Sequence, residues 1–230
     1  MLFVAGLMTY AVFKINAINE IKATATAFIS HIATGDLEKS KSMAAGQVLW
    51  NLAQSDDLPK ARVERIKTQV VGYSSEWAIV NCLAELTLEN NQSDVDWYEI
   101  EMYRPENTWK VIRINNITPQ PMGKGRANSS TDEAQNVMIQ YLDACAKGEY
   151  QQASGYLAGQ ARRLQEQSFQ TLKGAVSTSG YTGLSFEPIY SSPELIKAFV
   201  SYELDSRQVR LVATFYKTMR EWKIVAITSA

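Results

Sequence analysis

Apolar residues recur at helical spacing in two places along the chain. In the first set the spacing i, i+4, i+7, i+11 places all members on one face of a helix. This set comprises Ile21, Ala25, Phe28 and Ile32. The second set lies 113 residues later and comprises Ala134, Met138, Tyr141 and Cys145. The second predicted helix opens with Ser130-Thr131-Asp132-Glu133, which is typical of a capping box.

Each long helix is predicted to end at a glycine, Gly35 or Gly148, and to be followed by short helices and then strands. The first predicted strands are Arg65–Tyr73, Trp77–Leu88, Val95–Arg104 and Thr108–Ile117. The second predicted strands are Ser185–Tyr190, Ile196–Leu204, Arg207–Tyr216 and Glu221–Ser229. Alternation of polar and apolar residues is clearest around Ile100, which indicates a half-buried antiparallel sheet. Helices followed by strands predict an α+β class.

The two halves match at a constant spacing, which predicts an internal duplication. Gly35 falls on Gly148 and Trp109 falls on Trp222, both at a spacing of 113 residues. Between these ends the register slips, and Glu85 matches Glu203 at a spacing of 118. It recovers because the turn at residues 89–94 is shorter in the second copy, and loops tolerate such changes. We therefore expect a first domain at 19–118, a linker at 119–130 and a second domain at 131–230.

Both copies close on similar tetrapeptides, Trp109-Lys110-Val111-Ile112 and Trp222-Lys223-Ile224-Val225. Together with the helix that ends in Gly-Asp or Gly-Glu, this arrangement resembles the nuclear transport factor 2-like (cystatin-like) superfamily over nearly all of residues 17–230. The resemblance implies two tandem domains, each a curved four-stranded sheet around a long helix with a cone-shaped cavity. Tandem domains of this type behind one transmembrane helix also resemble the single-pass assembly factors of conjugation (type IV secretion) machines.

Residues 1–18 are a separate region, because the apolar residues at positions 2–13 cover all faces of a helix. The run is shorter than the roughly 20 residues that span a bilayer. It is compatible with the remnant of a membrane anchor, a signal segment, or a helix buried on a partner. We favour the anchor, which predicts a single-pass cell-membrane protein with its domains outside the cytoplasm. With no proline at positions 12–20, the helix should run on into the first domain.

Charge and composition disfavour several classes of function. The 23 basic and 24 acidic side chains give a net charge of −1, without the basic field that a nucleic-acid-binding protein usually has. Cys82, Cys145 and His31 are the only cysteines and histidine, and they lack the spacing of a zinc site. We expect no metal and no cofactor, and two unpaired cysteines that serve as small buried hydrophobes.

Four residues are candidates for a cavity. Glu85 and Glu203 are matched strand carboxylates that could serve as a base on a concave face, although strand glutamates more often face solvent. Trp109 and Trp222 are interpreted as core residues that could also line a ligand site. Enzymatic relatives carry a His–Asp pair or a carboxylate with a tyrosine in the cone, but His31 is interpreted as a helix-end residue, and no catalytic residue is assigned.

The leading hypothesis is therefore a non-enzymatic protein-interaction module in a membrane-associated assembly, with protein partners and self-association as expected contacts. The alternative is a small-molecule or enzyme site inside a cone. A deep pocket with convergent polar groups would favour the alternative.

Overall fold

The computed structural model describes residues 2–122, 131–171 and 180–230, with side chains of 2–13 and 169–171 excluded. Most of the predicted linker at 119–130 lies outside the described residues. Contacts divide the chain into two units. The first unit combines Met1–Asn90 with Trp97–Ile117, and the second combines Asn91–Asp96 with Thr118–Ala230, so that the start of one strand of the first sheet is grouped with the second unit.

The first unit contains three helices followed by a four-stranded sheet in the order β1-β2-β3-β4. Its elements are α1 Leu2–Ala33, α2 Leu37–Met43, α3 Gly46–Ala53, β1 Ala61–Tyr73, β2 Trp77–Leu88, β3 Ser93–Tyr103 and β4 Lys110–Asn116. Helix α1 is continuous through the region where the sequence predicts a helical extension. Strand β1 begins four residues before the prediction, at Ala61, because its charged first half hides the alternation.

The core of the first unit lies between α1 and one face of the sheet. Phe28 of α1 is fully buried, as are Val80 and Cys82 of β2, and all three belong to one apolar cluster. The predicted helical stripe is thus the buried face of α1. Alternate residues of β2 supply the opposing surface, as the period of a strand requires.

The second unit repeats this order of elements. Its elements are α4 Asp132–Ala146, α5 Tyr150–Gly155, α6 Gly159–Thr171, β5 Tyr181–Ser191, β6 Leu195–Leu204, β7 Arg207–Lys217 and β8 Trp222–Ser229. The sheet order is β5-β6-β7-β8. Met138 of α4 packs with Ala198, Phe215 and Ile224 in the core. Two four-stranded antiparallel sheets with their helices confirm the α+β class.

Equivalent residues occupy the same topological positions in the two units. Gly35 and Gly148 follow the long helices with φ of 76° and 73°, in the left-handed region that glycine tolerates. A lone parallel bridge joins Ala44 to Val111, and its counterpart joins Leu157 to Ile224. The last two strands of each sheet also share a register shift at equivalent positions, Glu101/Met102 and Thr214/Phe215.

One prediction is wrong. Across the described parts of the chain, no helix is both long enough and apolar enough to cross a membrane, which overturns the single-pass localisation. The predicted capping box at the start of α4 depends on Ser130, which lies outside the described residues. Its other member, Glu133, accepts a hydrogen bond from Trp222.

Candidate functional site

Glu85 lies on the face of the first sheet opposite the core. Its neighbours Ala84 and Leu86 belong to the core, so alternation turns Glu85 away from α1. The side chain is nevertheless buried and accepts a hydrogen bond from Nε of Arg65 at 2.6 Å. A buried carboxylate that is paired with arginine has a structural role in the sheet, since removing either partner would leave an uncompensated charge.

Glu203 occupies the corresponding place in the second sheet but is exposed. It stands opposite Thr182 in the β5–β6 pair. The core residues Ala198 and Val200 fix the inward face of β6, and Glu203 falls on the outward one. The structure therefore places both candidate carboxylates outside the space between helix and sheet.

Trp109 and Trp222 are buried in the cores of their units. A cation lies over each ring: the Arg104 guanidinium is 5.5 Å from the centroid of Trp109, and the Lys217 ammonium is 5.7 Å from that of Trp222. Each cation also pairs with a glutamate of the long helix, Arg104 with Glu20 and Lys217 with Glu133. Both tryptophans hold helix to sheet, as the sequence predicts.

The cysteines and the histidine have ordinary structural surroundings. Cys82 and Cys145 are both free, and burial raises the pKa of the Cys82 thiol to about 12. Burial also raises the pKa of Cys145, which is only half-buried. His31 lies 3.7 Å from the Asp36 carboxylate at the end of α1, and hydrogen bonds from Lys39 lower the pKa of Asp36. No cluster of metal-binding side chains occurs among the residues that the structure describes.

A carboxylate–tyrosine pair, of the kind implied by the resemblance, is present in the second unit. The hydroxyl of Tyr181 donates to Asp143 Oδ1 at 2.9 Å. Burial, aided by this hydrogen bond, raises the pKa of Tyr181 to about 12, so the phenol stays protonated at neutral pH. Asp143 itself is exposed. The sequence does not predict this pair, because the two residues lie 38 positions apart and no local pattern links them.

A groove in the first unit has room for a ligand. It has a volume of about 630 Å³, lies between α1, α3 and β4, and is open along one side. Phe28, Ile32, Val48 and Leu52 form its apolar part, and Ile112 and Ile114 of β4 form one wall. None of the four sequence-derived candidates lines it.

Three of the four polar residues that line this groove make contacts of their own. Gln47 Nε2 donates to Asn51 Oδ1 at 2.8 Å, one helical turn along α3. Arg113 is paired with Glu101 at 3.4 Å. Gln47 and Asn51 thus satisfy each other, whereas a small-molecule site usually directs several polar groups at its ligand.

Helix α3 continues this apolar surface on the outside of the unit. Leu49 is 38% exposed and Trp50 is 61% exposed. Amphipathic spacing predicts Val48 and Leu52 on the inner face, and these two residues are buried. Sequence reasoning missed the groove because α3 was not resolved as a helix of its own; the visible signal was an apolar pair, Leu49 and Trp50, outside the buried stripe.

The corresponding positions of α6 carry Arg162 and Arg163, and both are engaged within the second unit. The Arg162 guanidinium donates to the carbonyl of Ser93. Arg163 pairs with Asp96 at 2.6 Å, and the amide of Gly159 donates to Asp94 Oδ1. This surface of α6 therefore binds the short segment Asn91–Asp96 through charge and backbone groups.

Comparisons with known proteins add little to this geometry. No family model matches the chain, and no curated protein matches it. One similar solved structure is described as an Ntf2 like protein involved in plasmid conjugation. It is 12% identical over 92% of this chain and 96% of its own, with a TM-score of 0.34. A score this low does not establish a common fold, so the assignment of the site rests on its own geometry.

Proposed function

We propose that the chain is a non-enzymatic protein-interaction module made of two nuclear transport factor 2-like units, and that the first unit binds a protein partner. The observation that carries the proposal is the apolar groove of about 630 Å³ bordered by the exposed Leu49 and Trp50. Tryptophan is enriched among residues that dominate binding energy at protein interfaces. An exposed apolar surface next to a groove is typical of an interaction site.

The polar chemistry favours a peptide over a small metabolite. The amides of Gln47 and Asn51 bond to each other, and Arg113 bonds to Glu101. A groove with apolar walls and an adaptable polar rim suits side chains of a polypeptide. A conjugative transfer assembly is the proposed setting, which rests on the sequence resemblance; self-association is the competing form of contact.

The test uses the full chain with a photo-crosslinking amino acid at Gln47, expressed in its native host. Mass spectrometry would identify the crosslinked protein, and the purified partner would then be titrated against wild-type chain. Asn51→Trp should abolish binding, because an indole at that position fills the mouth of the groove. Ala53→Trp is the matched control, since it adds the same side chain on the opposite side of α3 and should leave binding unchanged.

Equal binding by wild type and Asn51→Trp would contradict the proposal. A second result would also contradict it. In that result the chain crosslinks only to a second copy of itself, the crosslink is lost on dilution, and Asn51→Trp crosslinks as wild type does.

The alternative function is a small-molecule site, which the hydrogen bond between Tyr181 and Asp143 favours. Native mass spectrometry of the chain purified from its host would reveal a retained ligand. If that ligand were lost in Asp143→Asn and kept in Asn51→Trp, the second unit would be the functional site.

A further inference from the structure

Strand β4 is both an edge of the first sheet and a wall of the groove. It is the last strand in the order β1-β2-β3-β4, and residues 112–115 face the groove. A groove that runs beside a sheet edge offers a ligand two kinds of contact: backbone hydrogen bonds and side-chain pockets.

The backbone of β4 presents groups on its outer side beyond Val111, whose own carbonyl accepts a hydrogen bond from the amide of Ala45. The amide of Ile117 donates to the carbonyl of Trp97 at 2.9 Å, which fixes the alternation of the antiparallel pair. By this alternation Arg113 and Asn115 direct their backbone groups toward β3, and Ile114 and Asn116 direct theirs away from it. In the described part of the chain, neither Ile114 nor Asn116 makes a backbone hydrogen bond to another segment.

The opposite edge of the sheet has features that prevent pairing. Strand β1 contains two register shifts, at Val63/Arg65 and Val70/Gly72. Its first half carries Arg62, Glu64, Arg65 and Lys67. Bulges and charged residues on an edge strand hinder its pairing with another chain. The stretch of β4 beyond its single bulge, residues 113–116, has no further bulge and carries one charge, Arg113, next to Ile114.

The charge beside β4 indicates what a partner strand would carry. Arg113 is 66% exposed, and its contact with Glu101 at 3.4 Å leaves part of a five-donor guanidinium available. It is the only charged residue among those lining the groove. A partner residue directly across from Arg113 would therefore be acidic, because opposite charges stabilise cross-strand pairs. The flanking residues would point to the other face, where the groove is apolar.

We infer that β4 binds an extended segment of a partner protein as a fifth strand, with an acidic residue beside Arg113 and apolar residues in the groove. The inference rests on the proposed function and specifies the class of its ligand. Affinity comes from the backbone of Ile114 and Asn116, and specificity comes from the groove and Arg113.

The probe is an acetylated and amidated peptide of about six residues, the usual length of a strand, in which valine alternates with threonine and the central threonine is glutamate. Isothermal titration with the full chain should give saturable binding. Amide exchange measured by nuclear magnetic resonance should slow at Ile114 and Asn116 when the peptide is added. Unchanged exchange at both amides would overturn the inference.

Charge reversal tests the position of the acidic residue. Arg113→Glu should weaken binding about fivefold, the scale of an exposed ion pair. Arg62→Glu is the matched control on β1, because Arg62 is 67% exposed and pairs with Glu64. A peptide with lysine in place of glutamate should reverse the order, binding Arg113→Glu better than wild type. Equal effects of the two substitutions would overturn the inference.

Ile114→Pro removes an outward amide and should abolish binding while the β3–β4 pair is kept, as circular dichroism and resistance to denaturant would verify. If that variant does not fold, the charge-reversal experiment still decides. If the crosslinked partner loses binding in Asn51→Trp and keeps it in both β4 variants, the added strand is wrong while the proposed function stands.

Discussion

The two units carry the same trio of glutamate, cation and tryptophan but connect its members differently. In the first unit the Arg104 Nη2 atom lies 3.3 Å and 3.2 Å from the two carboxylate oxygens of Glu20. Trp109 Nε1 is buried and has no hydrogen-bond partner among the described residues. In the second unit Lys217 binds a single oxygen of Glu133, Oε2, and that oxygen also accepts from Trp222 Nε1 at 2.6 Å.

The two cations engage their carboxylates differently. One guanidinium nitrogen of Arg104 lies close to both oxygens of Glu20, and Nε of Arg104 is buried without a hydrogen-bond partner among the described residues. The ammonium of Lys217 is a compact charge that shares a single oxygen of Glu133 with the indole of Trp222. The equivalent tryptophans therefore differ in whether the helix glutamate accepts their N–H.

The largest expected effect is the loss of stability when a buried tryptophan is removed, because both units bury the indole. Trp222→Ala should destabilise the second unit by about 3–5 kcal/mol, the usual cost of emptying an aromatic core site. Denaturant dependence of hydrogen exchange in peptides from β8 measures this loss in the full chain. Trp109→Ala should have the same range of effect on peptides from β4.

A loss below about 1 kcal/mol for Trp222→Ala would contradict the core assignment, since surface substitutions have effects of that size. If Trp109→Ala destabilised the first unit much less than Trp222→Ala destabilises the second, the two units would differ in packing as well as in hydrogen bonding.

Helices α3 and α6 differ at equivalent positions, and the proposed partner site lies on the helix whose apolar residues are left exposed. Leu49 and Trp50 leave apolar surface exposed on α3. Arg162 and Arg163 engage the segment Asn91–Asp96 on α6. The same helix position has become an internal contact in one unit and an open surface in the other.

The sequence was sufficient for those features that repeat or that have a clear period. The α+β class, the buried stripe of α1 and the buried tryptophans followed from spacing alone. The hydrogen bond to Glu133 could not be predicted, because its donor, Trp222, lies 89 positions away in the sequence. The groove depends on how α3 meets β4, and no local pattern encodes that packing.

A smaller effect should separate the two indoles. Phenylalanine keeps most of the ring and removes the donor, so Trp222→Phe loses the hydrogen bond to Glu133 and Trp109→Phe loses none. We expect Trp222→Phe to cost about 1 kcal/mol more than Trp109→Phe, the net value of a typical hydrogen bond. Hydrogen exchange in β8 and β4 peptides of the full chain gives both values, and an equal cost would refute the proposed difference in bonding.

The smallest expected effect is on the stability of the second unit at acidic pH. Hydrogen bonds from Lys217 and Trp222 lower the pKa of Glu133 below its ordinary value of 4.5. A carboxyl group with a lowered folded-state pKa stabilises the fold above its ordinary pKa, and this contribution is lost as pH falls through the folded-state pKa. Glu133→Gln should therefore flatten the acid side of the stability curve of the second unit below about pH 4.5. Hydrogen exchange of β8 peptides at a series of acidic pH values measures that curve. Glu20→Gln, the matched change in the first unit, should leave the β8 curve as it is in wild type. If Glu133→Gln also left it unchanged, the carboxylate would not be coupled to Trp222, and the two units would bond their glutamates alike.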